Sequence, residues 1–461
     1  MLPTTCWADL ADRKVGLWGL GIEGAANLAL LRSMGNEPVI VDDSPDPASK
    51  ETILATGAGG LAALAGCEVV VKSPGVSRHR PEVDHLIDAG VLVIGGLGLW
   101  LAGADRSRVL CITGTKGKST TTAIAAHVAR GLGLTVFAGG NLGAPPWHPD
   151  LRSANPDSGD DIDLWVIETS SYQAADTLVS SDVVAVTSLY PDHLPWHGGD
   201  TAVYYRDKLS LCTRPGTRLT IASSASPVLV DHTHLLGDDV QWIDDTTYDP
   251  AWALGLGLRG DHNLVNANIA RACLVAMGVP GADDDDAIAA ATAGFAGLES
   301  RLARVATIEG VEFVDDGLST NVLPTLAALE AFAGRRVALI AGGADRGLDY
   351  STLGQALADR HQPTLLLTAY TTGPAIAEAT RSAVAAAPAS TVEVMPCTDL
   401  TSAVGAAWQW ARPDGVVLLS PAAASFDAFD DYRHRSAVFA QAVAALTADN
   451  RDDRGKHDNE V

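Results

Sequence analysis

The stretch Val109-Leu110-Cys111-Ile112-Thr113-Gly114-Thr115-Lys116-Gly117-Lys118-Ser119-Thr120 decides how this chain is read. An apolar run that reads as a strand enters a glycine-rich turn. The turn ends in Gly-Lys-Ser and opens a helix of good formers, predicted from Thr121 to Arg130. Phosphate binding needs that order. Glycines let backbone N–H groups turn inward, the helix N-terminus adds positive potential, and a lysine reaches the terminal phosphates. Lys118 is placed as that lysine, and Ser119 offers a hydroxyl to Mg²⁺. The usual phosphate loop would put its first glycine at 112. Ile112 stands there, so the loop is a tighter form, Thr-Gly-Thr-x-Gly-Lys-Ser.

Outward from this loop, composition bounds the rest. The chain has 461 residues, 47% of them hydrophobic, so two to four domains with sizeable cores are expected. There is no apolar run long enough to span a bilayer. A formal net charge of −24 argues against nucleic acid or an anionic membrane as a partner. It leaves room for a nucleotide held locally by loop amides and a few cations. The six cysteines lack disulfide or metal spacing and read as reduced, mostly core residues. The polar start, Met1 to Asp12, is unlike a signal peptide, and a cytoplasmic location is expected.

Before the loop, strands are predicted at Val15–Trp18, Pro38–Val41, Val69–Lys72 and Val91–Ile94. Gly19-Leu20-Gly21-Ile22-Glu23-Gly24 follows the first strand and precedes a helix through Ser33, a Gly-x-Gly-x-x-Gly fingerprint. Asp42 ends the second strand, where a ribose-binding acid belongs. Alone, this fits an NAD-type site or any nucleotide diphosphate. After the loop, Gly139-Gly140-Asn141-Leu142-Gly143 marks close approach to a ligand, and Ala144 to Asp161 reads as a surface loop. Strand Leu164–Ile167 ends in Glu168, a carboxylate placed for Mg²⁺. Strand Asp182–Thr187 leads to Asp192-His193, and an amphipathic helix carries Lys208. Further strands are predicted at Val311–Asp315, Arg336–Ile340, Thr364–Leu367, Val392–Met395 and Val416–Leu419, alternating with Ala-rich helices. The charged stretch from Thr447 onward lacks apolar periodicity and is expected to be disordered.

These pieces, in this order, resemble the Mur ligase family, the ATP-dependent amide-bond ligases of peptidoglycan precursor synthesis. The likeness covers roughly residues 12 to 445. It rests on Thr113 to Thr120, Gly140-Asn-Leu-Gly143, Glu168-Thr-Ser-Ser-Tyr-Gln173, Asp192-His193 with Lys208, and His262-Asn263-Leu-Val-Asn266. It continues through Ser300-Arg301, Asp316 to Asn321, Gly342-Gly-Ala-Asp-Arg346 and Leu419 to Asp427. Ser73-Pro74-Gly75 and the N-terminal glycine loop resemble the branch that adds glutamate to UDP-N-acetylmuramoyl-L-alanine.

The resemblance implies an α/β chain of three domains. Residues 1–104 would be a Rossmann-like domain for the UDP end of the substrate, and 105–299 a P-loop ATPase-type domain. Residues 300–448 would be a Rossmann-like glutamate-binding domain, with a disordered tail at 449–461. It implies ATP and Mg²⁺ as cofactors, a monomer, and a functional link to an epimerase. Gly114, Thr115, Lys116, Gly117, Lys118, Ser119 and Thr120 would bind ATP, with Asn263 and Asn266 on the adenine side and Arg301 at the nucleotide. Ser119 and Glu168 would hold one Mg²⁺; His193 and a carbamoylated Lys208 would hold or support the second. Lys118, Glu168, His193 and Lys208 form the implied catalytic set. Gly19, Gly21, Asp42, Ser73, Asn141 and Ser170 would contact the UDP-substrate. Thr320, Arg346, Ser425 and Tyr432 would surround glutamate.

Some positions depart from the family pattern. Lys116 stands where most of these ligases have Asn. Leu318 replaces a Lys of the D-glutamate-adding enzymes, and Arg346 replaces another Lys. Leu194-Pro195-Trp196-His197-Gly198 follows the metal histidine. These features resemble a smaller subgroup that adds L-glutamate and leaves inversion to a separate epimerase. The alternatives are the D-glutamate-adding ligase of the same step and, more distantly, an NAD(P)-dependent oxidoreductase. The oxidoreductase reading leaves the phosphate loop, Glu168 and the third segment unexplained.

Overall fold

The computed structural model describes residues 5–45, 49, 51–141, 143–148, 162–258, 260–295, 297–298, 300–426 and 428–457, with the backbone alone for 323 and 447–457. Most of the loop expected over Ala144 to Asp161 lies outside these residues, as do Leu142, Asp427 and positions 458–461. The β-rich apolar runs pair almost wholly in parallel, as buried strands covered on both faces by helices do. Among the described residues they form three sheets.

The first sheet holds β1 (Val15–Trp18), β2 (Val39–Val41), β3 (Ile53–Leu54), β4 (Val69–Lys72) and β5 (Leu92–Gly95), in the order β3-β2-β1-β4-β5. The second holds β6 (Val109–Thr113), β7 (Val136–Gly140), β8 (Leu164–Glu168), β9 (Val183–Val186), β10 (Leu219–Ser223) and β11 (Val240–Ile243), ordered β11-β10-β9-β6-β8-β7. The third holds β12 (Ala303–Ile308), β13 (Val311–Asp315), β14 (Val337–Ala341), β15 (Thr364–Thr368), β16 (Val392–Pro396) and β17 (Val416–Leu419), ordered β12-β13-β17-β14-β15-β16. Only β12 runs antiparallel, as a hairpin with β13. In each sheet the chain leaves one strand in both directions, so crevices open at the C-terminal ends of β1 with β4 and of β6 with β9. In the third sheet β17 inserts between β13 and β14. Ligands of open α/β sheets bind in such crevices.

By internal contacts the chain forms two units, Met1–Gly257 with His262–Ala296, and Leu258–Asp261 with Gly297–Val461. In the first unit one apolar core runs from Leu17 and Val71 through Leu97 and Leu99 to Cys111, Ile167 and Val184, so the first two sheets share packing. Trp147 closes it, its Nε1 donating to Asn27 Oδ1 at 2.8 Å. In the second unit both faces of the third sheet are covered.

Several expectations need correction. The helix after the phosphate loop begins at Lys118, three residues earlier than its apolar periodicity indicates, and ends at Gly131. Hydroxyl side chains at its start hide the period. β3, β10, β11 and β12 were not expected. β3 is two residues long, Thr220 and Ser223 interrupt β10, and β11 and β12 are partly exposed edge strands. The last helix runs Tyr432–His457, so the charged stretch from Thr447 continues as helix to His457. Phe439, Ala442 and Val443 anchor the helix, and past a formed nucleus each added residue gains one hydrogen bond.

Candidate active site

The phosphate loop turns at the end of β6, beside β9. Gly114 has φ of 134°, and a Cβ there would lie 2.2 Å from Thr187 Oγ1, so only glycine fits. The segment after β9 braces the turn. Thr115 N donates to Ser188 O at 2.8 Å and Lys116 N to Ser188 Oγ at 2.9 Å. Tyr204 OH meets Thr115 Oγ1 at 2.9 Å. Lys118 Nζ donates to Gly114 O at 2.9 Å and Thr115 O at 3.1 Å, which folds the ammonium back over the loop. Ser119 and Thr120 are buried in the first turn of the helix. Asn266 packs against the loop: a Cβ on Gly117 would lie 2.5 Å from its Oδ1. Its Nδ2 donates to Asn263 Oδ1 at 3.3 Å.

Pairing of Ile112 with Glu168 sets that carboxylate beside the loop. Glu168 Oε1 accepts from Asn141 Nδ2 at 2.7 Å. Its Oε2 is buried with no hydrogen-bond partner among the described residues. A buried carboxylate oxygen left in that state costs stability. With the Ser119 hydroxyl on the adjoining helix, it makes a donor set suited to a hard dication, so the residues fit Mg²⁺. Lys208, on the helix Thr201–Thr213, is 3% exposed and donates to Gly114 O at 3.0 Å. Burial, then the nearby Lys118 ammonium, pushes its amine well below the ordinary lysine range. Burial lowers His193 as well; Asp192 opposes this and the lysines Lys116, Lys208 and Lys118 reinforce it. His193 is thereby favoured as neutral imidazole, the form that ligates metals. Lys116 is tied to Asp192 at 3.2 Å.

At the ends of β1 and β4 lies a cleft of about 530 Å³ lined by Gly19, Gly21, Asp42, Ser73, Arg80 and Asn141, among others. Ser73 Oγ donates to Gly19 O at 2.6 Å, and Asp42 accepts from Leu20 N at 2.6 Å, so these residues shape the glycine loop as well as line the cleft. Ser170 caps the helix Ser171–Ala175, accepting from Gln173 N at 3.1 Å. Asn141 belongs to both places: it lines this cleft and holds Glu168.

The quoted motifs contain Glu23 and Gln173 without giving either a role, and the pair Lys72–Asp176 was not foreseen. Glu23 Oε2 accepts from Gln173 Nε2 at 2.9 Å, and burial pushes its carboxyl up to about 7. Lys72 and Asp176 pair at 2.5 Å with side chains 0% and 2% exposed. A polar residue closing the apolar run Val69–Val71 was the available signal for Lys72. Nothing in the local pattern of Glu23 reveals a partner 150 positions away.

In the second unit, the loops after β13, β17 and β14 come together. Asp316 accepts from Ser420 Oγ at 2.7 Å, and an isolated bridge joins Ala344 to Ala424. Buried Arg435 donates to Gly317 O at 2.7 Å and Ala423 O at 3.2 Å, another residue that sequence reading missed. Thr320 and Tyr432 are half-buried and Ser425 is buried on these segments. Arg346 is exposed, its guanidinium 5.5 Å from the ring centre of Phe426. Arg301 belongs to this unit and lies close enough to Asp316 to act on its charge.

Comparison with known proteins agrees with these features. Residues 13–95 match the family described as Mur ligase MurD-like, N-terminal domain. Residues 112–228 match the Mur ligase middle domain, and 300–423 the Mur ligase, glutamate ligase domain. A UDP-N-acetylmuramoyl-L-alanine--L-glutamate ligase of Micromonospora sp. is 39% identical, over 95% of this chain and 97% of that protein. Proteins of the same name from Salinispora tropica and Xanthomonas euvesicatoria are each 37% identical, covering 95% and 94% of this chain and 98% and 96% of theirs. Among solved structures, the UDP-N-acetylmuramate-alanine ligase of Thermotoga maritima aligns with a TM-score of 0.54 at 18% identity, over 94% of this chain and all (100%) of that one. Mycobacterium tuberculosis folylpolyglutamate synthase aligns at 0.52 and 17%, over 72% and 92%. These two likenesses concern the fold.

Proposed function

The chain belongs to the Mur ligase family, and we propose that it joins L-glutamate to UDP-N-acetylmuramoyl-L-alanine at the expense of ATP. The observation that carries this reading is Asn141, which links the cleft beneath the glycine loop to the carboxylate beside the phosphate loop. In this reading the cleft takes the UDP end, as Gly19, Gly21, Asp42 and Ser73 line it. The substrate's terminal carboxylate then reaches the phosphate loop past Asn141 and Ser170.

The carboxylate oxygen attacks the γ-phosphorus of ATP. The bond from that phosphorus to the β-phosphate oxygen breaks, leaving ADP and an acyl phosphate. The amine of glutamate attacks the acyl carbon, loses a proton, and phosphate departs. Lys118 neutralises charge on the migrating phosphoryl group, and the loop amides hold the rest of the triphosphate. Ser119 and Glu168 would hold one Mg²⁺, and His193 with Lys208 would hold or support a second; bound there, the ions would supply charge neutralisation between carboxylate and triphosphate. The depressed Lys208 amine supports carbamoylation: a neutral amine adds to carbon dioxide and releases a proton, turning an uncharged nitrogen into an anionic oxygen ligand.

Preference for the L-enantiomer is supported by Leu318, which offers no cation, and by Arg346 beside Phe426. A planar guanidinium holds a carboxylate as a fork rather than as a point charge. Thr320, Ser425 and Tyr432 complete the glutamate site. The three relatives named above carry the L-glutamate name. We further propose a cytoplasmic monomer whose product passes to an epimerase. The acyl phosphate is tested by labelling the substrate carboxylate with oxygen-18. One labelled oxygen should appear in each phosphate released; unlabelled phosphate would rule out this route.

A further inference from the structure

Two histidines and an aspartate converge outside the phosphate loop. His79 lies between β4 and the helix Pro81–Asp88, His197 ends the short turn Leu194–His197, and Asp207 precedes Lys208 on its helix. One ligand atom from each lies within 4.8 Å of the other two. Asp207 Oδ2 is 2.6 Å from both His79 Nε2 and His197 Nδ1. We propose that His79, His197 and Asp207 bind a transition-metal dication of the zinc class, which fastens the segment after β4 to the helix carrying Lys208.

The donor set supports this. Two imidazoles with one carboxylate suit zinc, cobalt or nickel far better than Mg²⁺, which prefers oxygen. Three protein ligands leave a fourth position open. His197 Nε2 lies 3.1 Å from Ser171 Oγ. When that nitrogen donates its proton to the hydroxyl, Nδ1 keeps its lone pair toward Asp207, the tautomer a ligand needs. Ligand atoms around a tetrahedral zinc stand about 3.3 Å apart, so each of the two 2.6 Å Asp207 contacts would lengthen by about 0.7 Å.

The surroundings hold the three residues in place. Ser77 Oγ donates to Trp196 O, and Trp196 Nε1 donates to Pro74 O at 2.9 Å. Tyr172 stacks on Trp196 at 4.5 Å between ring centres. The side chains are 0% exposed at His197, 14% at Asp207 and 32% at His79, so an ion would be shielded from the core side and reached past His79. Arg206 and Arg214 line the adjoining cavity of about 320 Å³; Arg78, also there, is paired with Asp176. Asp84 lines the same cavity.

The test uses the full chain, stripped with chelator and titrated with Co²⁺ in excess Mg²⁺, without nucleotide. Uptake of one Co²⁺ per chain with visible ligand-field bands is expected. His79→Ala, at a partly exposed position that should not disturb folding, should weaken binding at least about tenfold. His85→Ala, an exposed histidine on the neighbouring helix, should leave it unchanged. Asp207→Asn should also weaken it. No uptake by the wild type, or equal affinity in His79→Ala, would overturn the site and leave a hydrogen-bonded triad only.

Discussion

Replacing Glu168 with glutamine should separate stability from catalysis. In the protein Oε1 is held by Asn141 at 2.7 Å, whereas Oε2 is buried without a partner. Such an oxygen carries a desolvation cost of about 1–3 kcal/mol. Glutamine keeps the shape and the Asn141 bond and removes the buried charge. Without ATP or Mg²⁺, the unfolding free energy should therefore stay within about 1 kcal/mol of wild type or exceed it. Turnover should behave oppositely. Loss of an anionic ligand where charge gathers should cost about 10²–10³-fold, or about 2.7–4 kcal/mol. Urea unfolding of the free protein and phosphate release at saturating substrates measure the two quantities. Turnover within tenfold of wild type would refute the metal-ligand role. A loss of more than about 2 kcal/mol in stability would make Glu168 a structural residue instead.

Lys118→Ala should lower phosphate release at least about a hundredfold, since one cation on the migrating phosphoryl group is removed; a folded variant with near-wild-type release would contradict that role. Lys208→Ala should be nearly inactive and regain part of its activity with short-chain carboxylates, which return an oxygen ligand; full activity without additives would refute carbamoylation. Glu23 has its carboxyl raised by burial from 4.5 to about 7, so the folded state binds the extra proton between those values. Stability from this group is present below about 4.5 and is lost as pH rises through about 7, by about 3 kcal/mol. Glu23→Gln should therefore match wild type in urea near pH 4.5 and exceed it at pH 8; a constant difference across that range would contradict the assignment.

The phosphate loop was legible because sterics fix where its glycines must fall: Gly114 has no room for a side chain against Thr187. Glu168 was legible because the end of its strand faces the crevice of a parallel sheet, whereas the part proposed for His193 came from family resemblance. Lys208 was found by family resemblance alone. Its helix buries Tyr204, Tyr205, Leu209, Leu211 and Cys212 as well, so apolar periodicity says little about which way the lysine faces. The buried pairings of Glu23, Lys72 and Arg435 were not foreseen, because Gln173, Asp176 and Gly317 are distant in sequence and brought to them only by packing. The edge strands β11 and β12 escaped because partial exposure removes the apolar run that marks a buried strand.

Selection of L-glutamate over D-glutamate must come from where the charged groups can sit. The amine must face the acyl carbon for either enantiomer, so inversion at the α-carbon exchanges the directions of the α-carboxylate and the side chain. A pocket that pairs one carboxylate with Arg346 rejects the isomer whose charge loses that partner. The direct measurement is kcat/KM for L- and D-glutamate at saturating UDP-N-acetylmuramoyl-L-alanine, ATP and Mg²⁺, with product mass confirming the new amide. L-glutamate should be favoured by at least tenfold, about 1.4 kcal/mol. A tenfold preference for D-glutamate would contradict it.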